Sequence, residues 1–124
     1  MFRILIVEDS RSYRESLKEI LEGKANSIIV EEAENGKEAM EKTDSFQPDL
    51  IFMDIRLPDE SGLELTRRIK AKHPNICVAM LTSYDLPEYR DAAIHYGASH
   101  FFTKGVVTRK EIQDLVESSL SKEK

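Results

Sequence analysis

The sequence predicts a doubly wound α/β domain, a five-stranded parallel sheet in the order 2-1-3-4-5 with helices on both faces. Three observations predict it. Short apolar runs recur along the chain at intervals of roughly 20 to 30 residues, and five of them can be counted. Segments with helical spacing lie between them, so strand and helix alternate from end to end. The central run, "LIFM" at 50–53, has no polar alternation, as a strand buried on both faces requires. Right-handed crossovers leave few topologies for such an alternation, and the 2-1-3-4-5 order is the natural one for five strands.

The first strand is "FRILIV" at 2–7. Tyr13, Leu17, Ile20 and Leu21 form the stripe of the first helix, with Gly23 as its C-cap. "SIIVEEA" at 27–33 is the second strand, and the acids Glu31, Glu32 and Glu34 read as its solvent-facing end. After Asn35-Gly36, the residues Ala39, Met40 and Thr43 mark a short second helix. "LIFM" follows, then a third helix through Leu63, Thr66 and Ile69 that ends before His73-Pro74. "ICVAML" at 76–81 is the fourth strand, and Leu86, Tyr89, Ala93 and Tyr96 carry the fourth helix to Gly97. "SHFFT" at 99–103 and a helix through Ile112, Leu115, Val116 and Ser119 complete the alternation. No linker or repeat interrupts it, so residues 1–124 read as one domain. The closing "SSLSKEK" leaves open a whole single-domain protein or one domain of a longer one.

Composition narrows the function classes. With 40% hydrophobic and 33% charged residues the chain reads as ordinary soluble globular protein. No apolar stretch approaches the roughly 20 residues that cross a bilayer, and no secretory leader is recognisable, so a cytoplasmic location and no membrane partner are expected. A net charge of −5 argues against direct nucleic-acid binding by these residues. The single cysteine, Cys77, lies in an apolar run and reads as a buried thiol. His73, His95 and His100 have no metal-ligand spacing and read as surface or edge residues.

The chemistry gathers at the strand ends. The first strand runs into Glu8 and Asp9, and the third runs into Asp54. In the 2-1-3-4-5 order these strands are neighbours, so three carboxylates converge on one rim. Such acids repel, and one keeps its proton unless a cation intervenes. Magnesium suits a site of carboxylates, a carbonyl and waters. The fourth strand ends at Thr82, a hydroxyl, and the fifth near Lys104, an ammonium. Acids, hydroxyl, ammonium and metal together suit acceptance of a phosphoryl group on a carboxylate.

Here the chain resembles the receiver domain of bacterial two-component response regulators, of flavodoxin-like fold. "ILIVEDS", "DLIFMDIRLPDESGLEL", "VAMLTS" and "GASHFFTK" stand in the family's order and spacing. The resemblance implies that Asp54 is the phosphoacceptor. It makes Glu8 and Asp9 the magnesium-holding pair, aided by Asp54 itself and the main-chain carbonyl of Arg56. Thr82 and Lys104 become the groups that contact the phosphoryl oxygens, and Phe101 the aromatic residue that turns inward on activation. Pro58 and Gly62 fit the turn after the acceptor. Arg56 and Tyr84 fall where side chains flank the path of a hydrolytic water, which implies a gate on the lifetime of the phosphorylated state.

The implied partners are a sensor histidine kinase or phosphotransfer protein and a downstream effector protein or output domain. A homodimer on activation is one outcome of the same resemblance. The changing surface would be that of the fourth helix, fifth strand and fifth helix. Three departures stand out. The acidic pair is Glu-Asp rather than Asp-Asp, so Glu8 is expected to reach metal through a water. Lys104 is followed by Gly105, where the family carries proline after a cis bond; cis to glycine would cost roughly 3 kcal/mol, so trans is expected. Ser83 replaces a smaller residue beside Asp54.

Three readings compete. A haloacid-dehalogenase-type phosphatase would need an acid two residues after the acceptor, where Arg56 stands. A flavodoxin-like cofactor binder would need a phosphate-cradling loop where "VEDSRSYR" places acids. A degenerate receiver that only binds partners would have no need of Asp54, Thr82 and Lys104 together.

Overall fold

The computed structural model describes residues 1–22 and 27–122. Five strands, β1 (Phe2–Val7), β2 (Ile28–Ala33), β3 (Leu50–Met53), β4 (Cys77–Thr82) and β5 (His100–Thr103), form one sheet. They alternate with α1 (Arg11–Glu22), α2 (Gly36–Phe46), α3 (Gly62–Lys72), α4 (Pro87–His95) and α5 (Arg109–Lys122). Every pairing is parallel, and the order is β2-β1-β3-β4-β5.

Burial explains the layers. β3 is buried at every position, so neither of its faces can meet water. Alternation along the strands sends Ile4, Ile6, Phe52 and Leu81 to one face, against Leu17 and Leu21 of α1 and Ile112 and Val116 of α5. Leu5, Val7, Met53 and Met80 point the other way, against Ala39, Leu65, Ile69 and Ala93 from α2, α3 and α4. The expected helix stripes therefore face the sheet. Side chains start two of the helices on this second face, α2 and α3: Asn35 Oδ1 accepts from the Glu38 N–H at 2.8 Å, and Ser61 Oγ from the Leu63 N–H at 3.1 Å.

Three expectations change. Cys77 is half-buried, with Sγ 3.0 Å from Ser99 Oγ, because it is the first residue of β4 and sits at the amino rim of the sheet. Leu86 is 46% exposed and precedes α4, which begins at Pro87, so the fourth helix contributes only Ala93 to the buried core. Glu31 and Glu32 are half-buried rather than turned to open solvent. Glu32 pairs with Arg14 at 3.1 Å and Lys18 at 3.7 Å, and Glu31 with Lys42 at 3.9 Å, since the helices beside the edge strand carry cations. Gly23 lies outside the described residues.

Strand register places the chemistry. Val7 pairs with Met53, Met53 with Met80, and Thr82 with Thr103. β1, β2 and β3 thus end level, β4 and β5 end level with each other two residues further on, and these carboxyl ends share one rim.

Candidate functional site

Glu8 continues β1, its N–H bonded to Ala33 O at 3.0 Å, and Asp54 continues β3, its N–H bonded to Val7 O at 3.0 Å. Lys104 follows β5 and donates its N–H to Thr82 O at 2.9 Å. Backbone pairing alone therefore brings Glu8, Asp54, Thr82 and Lys104 together. Glu8, Asp54 and Thr82 are buried, at 3%, 7% and 0% exposure, while Asp9 is exposed.

The lysine bridges the acids. Lys104 Nζ donates to Asp54 Oδ2 at 2.9 Å and to Glu8 Oε1. The Ser10 N–H donates to Glu8 Oε2 at 2.9 Å. Burial pushes the Glu8 carboxyl up to about 7, against the pull of its Lys104 hydrogen bond. Burial lowers Lys104, but its hydrogen bonds to Glu8 and Asp54 outweigh that and hold it above its ordinary value. Repulsion at the rim, read from the sequence as a conflict among carboxylates, is met here by an ammonium and a readily protonated Glu8.

Asp54 is paired on one side only. Its Oδ1 is buried and has no hydrogen-bond partner among the described residues, while Oδ2 is taken by Lys104. The loop after it is fixed by close backbone approach. The Gly62 N–H donates to Ile55 O at 2.6 Å, and a Cβ on Gly62 would lie 1.8 Å from Asp54 O. Asp59 then docks this loop on α2: its Oδ1 accepts from the Gly36 N–H at 2.7 Å and its Oδ2 from the Lys37 N–H at 3.0 Å. A carboxylate at a helix N-terminus is stabilised by the exposed amides and the helix dipole.

The residues fit a divalent cation. Glu8, Asp9 and Asp54 each offer a carboxylate oxygen, all within 4.8 Å of one another. The orphaned Asp54 Oδ1 leaves this carboxylate one partner short, and all-oxygen ligation by such a set is what magnesium takes. Glu8 points inward, with both oxygens already engaged by Lys104 and Ser10.

The other predicted residues lie around this centre. Thr82 Oγ1 accepts from the Tyr84 N–H at 3.3 Å. Arg56, exposed in the loop after Asp54, stacks its guanidinium on the Tyr84 ring at 4.2 Å. Phe101 sits apart on β5, half-buried against the core, with the Arg90 guanidinium 4.6 Å from its ring centroid. Arg90 is tied to Asp85 at 2.7 Å, which joins the loop after Thr82 to Phe101. The bond from Lys104 to Gly105 is trans, as expected.

Sequence reading missed Tyr13, Arg14, Asp59 and Arg90 at the site. Tyr13 and Arg14 stand in the first turn of the helix after the acidic pair, the one signal that places them near the rim. Arg14 Nη1 donates to Glu8 O at 2.7 Å.

Fold and site define a doubly wound α/β domain whose strand ends gather acids, a hydroxyl and a bridging lysine. The model of the response regulator receiver domain matches residues 4–117. The chain belongs to that family, the phosphorylation-activated switches of two-component signal transduction. It is 39% identical to the chemotaxis protein CheY of Halobacterium salinarum, covering 82% of this chain and 83% of that one. To the transcriptional regulatory protein YdfI of Bacillus subtilis it is 38% identical, covering 84% of this chain and 48% of that one. It thus spans about half the length of that relative. The crystal structure of a CheY-like receiver domain from Methanospirillum hungatei superposes with a TM-score of 0.89 at 29% identity, covering 98% of this chain and 95% of that one. Among the described residues no helix is long and apolar enough to cross a membrane.

Proposed function

We propose that Asp54 accepts a phosphoryl group from a phosphohistidine of a sensor histidine kinase or phosphotransfer protein. The observation that carries this is the division of labour on its carboxylate: Oδ2 is anchored by Lys104 at 2.9 Å, and Oδ1 is buried without a partner. That oxygen attacks phosphorus, the P–N bond breaks with its electron pair going to nitrogen, and the imidazole leaves as the neutral ring with the proton its other nitrogen already carried. Lys104 neutralises phosphoryl oxygens, and the Thr82 hydroxyl donates to one of them once it turns from the Tyr84 N–H. Glu8, Asp9, Asp54 and the main-chain carbonyl of Arg56 would hold magnesium, which supplies further neutralisation of that charge. Arg56 and Tyr84 together shield the acyl phosphate from water.

Movement of Thr82 vacates space that Phe101 fills, and the α4, β5 and α5 surface changes for an effector protein, an output domain or a second copy. The two states need differ by only a few kcal/mol for this to shift their populations. A cytoplasmic location accords with partners of that kind. The test is incubation with acetyl phosphate and magnesium, read by intact mass. Wild type should gain one phosphoryl group and Asp54→Ala none; labelling of Asp54→Ala at the wild-type rate would sink the assignment.

A further inference from the structure

Lys104 reaches from the end of β5 across the rim, where its ammonium meets Glu8, Asp54 and the face of a tyrosine. Its Nζ lies 2.9 Å from Asp54 Oδ2 and 4.4 Å from the centroid of the Tyr13 ring. The backbone that carries Lys104 is a turn closed by the Val106 and Val107 N–H groups, which donate to Thr103 O at 3.1 and 2.9 Å. One hydrogen bond ties its N–H to Thr82 O at 2.9 Å, but the next residue, Gly105, is exposed at φ +82 with nothing within 4 Å of its Cβ direction. The turn fixes where this long side chain starts, and the contacts of its ammonium with Glu8, Asp54 and Tyr13 set where it ends.

Two of the three contacts at that end are carboxylates that a divalent cation also draws on. Such a cation competes with the ammonium for Glu8 and Asp54 oxygens. The ring does not enter that competition, because it offers the ammonium a negative π face and a hard cation no carboxylate oxygen. Tyr13 is itself well placed. Its N–H donates to Ser10 Oγ at 3.3 Å, and Arg14 beside it grips Glu8 O at 2.7 Å. One turn on, Leu17 is buried in the core, so α1 cannot roll away from the rim.

We propose that Tyr13 is a positioning residue whose ring seats the Lys104 ammonium beside Asp54 when a cation takes the carboxylates. The inference rests on Asp54 being the acceptor. The test replaces Tyr13 with Phe, with Leu, and with phenylalanines bearing increasing ring fluorination, which keep the shape and remove the negative face. Two quantities are read: the upfield ring-current shift of the Lys104 side-chain protons by NMR without phosphodonor, and the rate of Asp54 labelling by acetyl phosphate in magnesium. Urea melts accompany both.

Tyr13→Phe should keep shift and rate. Tyr13→Leu should lose the shift and label about three- to tenfold more slowly, and fluorination should slow labelling stepwise. If Tyr13→Leu destabilises the fold, the fluorinated series alone decides. Labelling at Asp54 that is indifferent to fluorination would overturn the proposal. If wild type takes no phosphoryl group at Asp54, the acceptor assignment fails instead, and the ring-current shift still reports whether Tyr13 seats Lys104.

Discussion

Removing the stack of Arg56 on Tyr84 should shorten the life of the phosphorylated state, and the two side chains should act as one unit. The guanidinium lies 4.2 Å from the Tyr84 centroid, and the Tyr84 ring meets Tyr89 edge-on at 6.4 Å and 84°. The ring is thus fixed by the helix that follows it, and the arginine is fixed by the ring. A partly exposed cation–π contact contributes about 0.5–1 kcal/mol, which favours the stacked arginine over free ones by roughly two- to fivefold. Loss of in-line geometry for the hydrolytic water raises a barrier by about 1.4 kcal/mol, tenfold in rate. Arg56→Asn, Tyr84→Ala and the double variant would be labelled with radioactive acetyl phosphate, freed of donor, and followed by loss of label in magnesium buffer. The double variant should decay about tenfold faster than wild type, and each single variant should recover most of that gain. A double variant that decays no faster places the gate elsewhere. Single effects that multiply to the double effect would show that the stack itself contributes nothing.

Two further outcomes are expected. Gly62→Ala forces a Cβ to within 1.8 Å of Asp54 O, a backbone atom that cannot yield, so the urea midpoint should drop by the equivalent of about 1–3 kcal/mol or more and labelling of Asp54 should slow; wild-type stability in this variant would refute the close approach. Glu8 is raised from 4.5 to about 7 in the fold, so between those values the folded protein holds a proton that the unfolded chain has released. Its contribution to stability is complete below pH 4.5 and is lost as pH rises through about 7. Urea melts in metal-free buffer should show stability falling across this window, and Glu8→Gln should flatten the fall; an equal slope in the variant would assign it to other groups.

The strands, their order and the rim were legible in the sequence because they rest on local rules. A strand buried on both faces must be apolar throughout, as Leu50 to Met53 are. A charged residue directly after such a run must lie at a strand end, which is how Glu8 and Asp54 were placed on one rim. Helix stripes were readable for the same reason at Leu17, Leu21, Ile112 and Val116. Leu86 misled because a residue just before a helix follows the helical spacing without sharing the helix's buried face, and Cys77 because an apolar run does not show where its strand leaves the core.

What only the tertiary structure decided is which side chains meet across the rim. Lys104 and Glu8 are 96 residues apart, and their contact exists because parallel pairing ends β1 and β5 on one side of the sheet. The seating of that lysine on Tyr13, the stack of Arg56 on Tyr84, the cover of Arg90 on Phe101 and the docking of Asp59 on α2 are all of this kind. Periodicity reports which face of an element is buried; it carries no information about the reach and rotamer of a long side chain at the element's end. Those are set by the packing of neighbours brought together only when the sheet is complete.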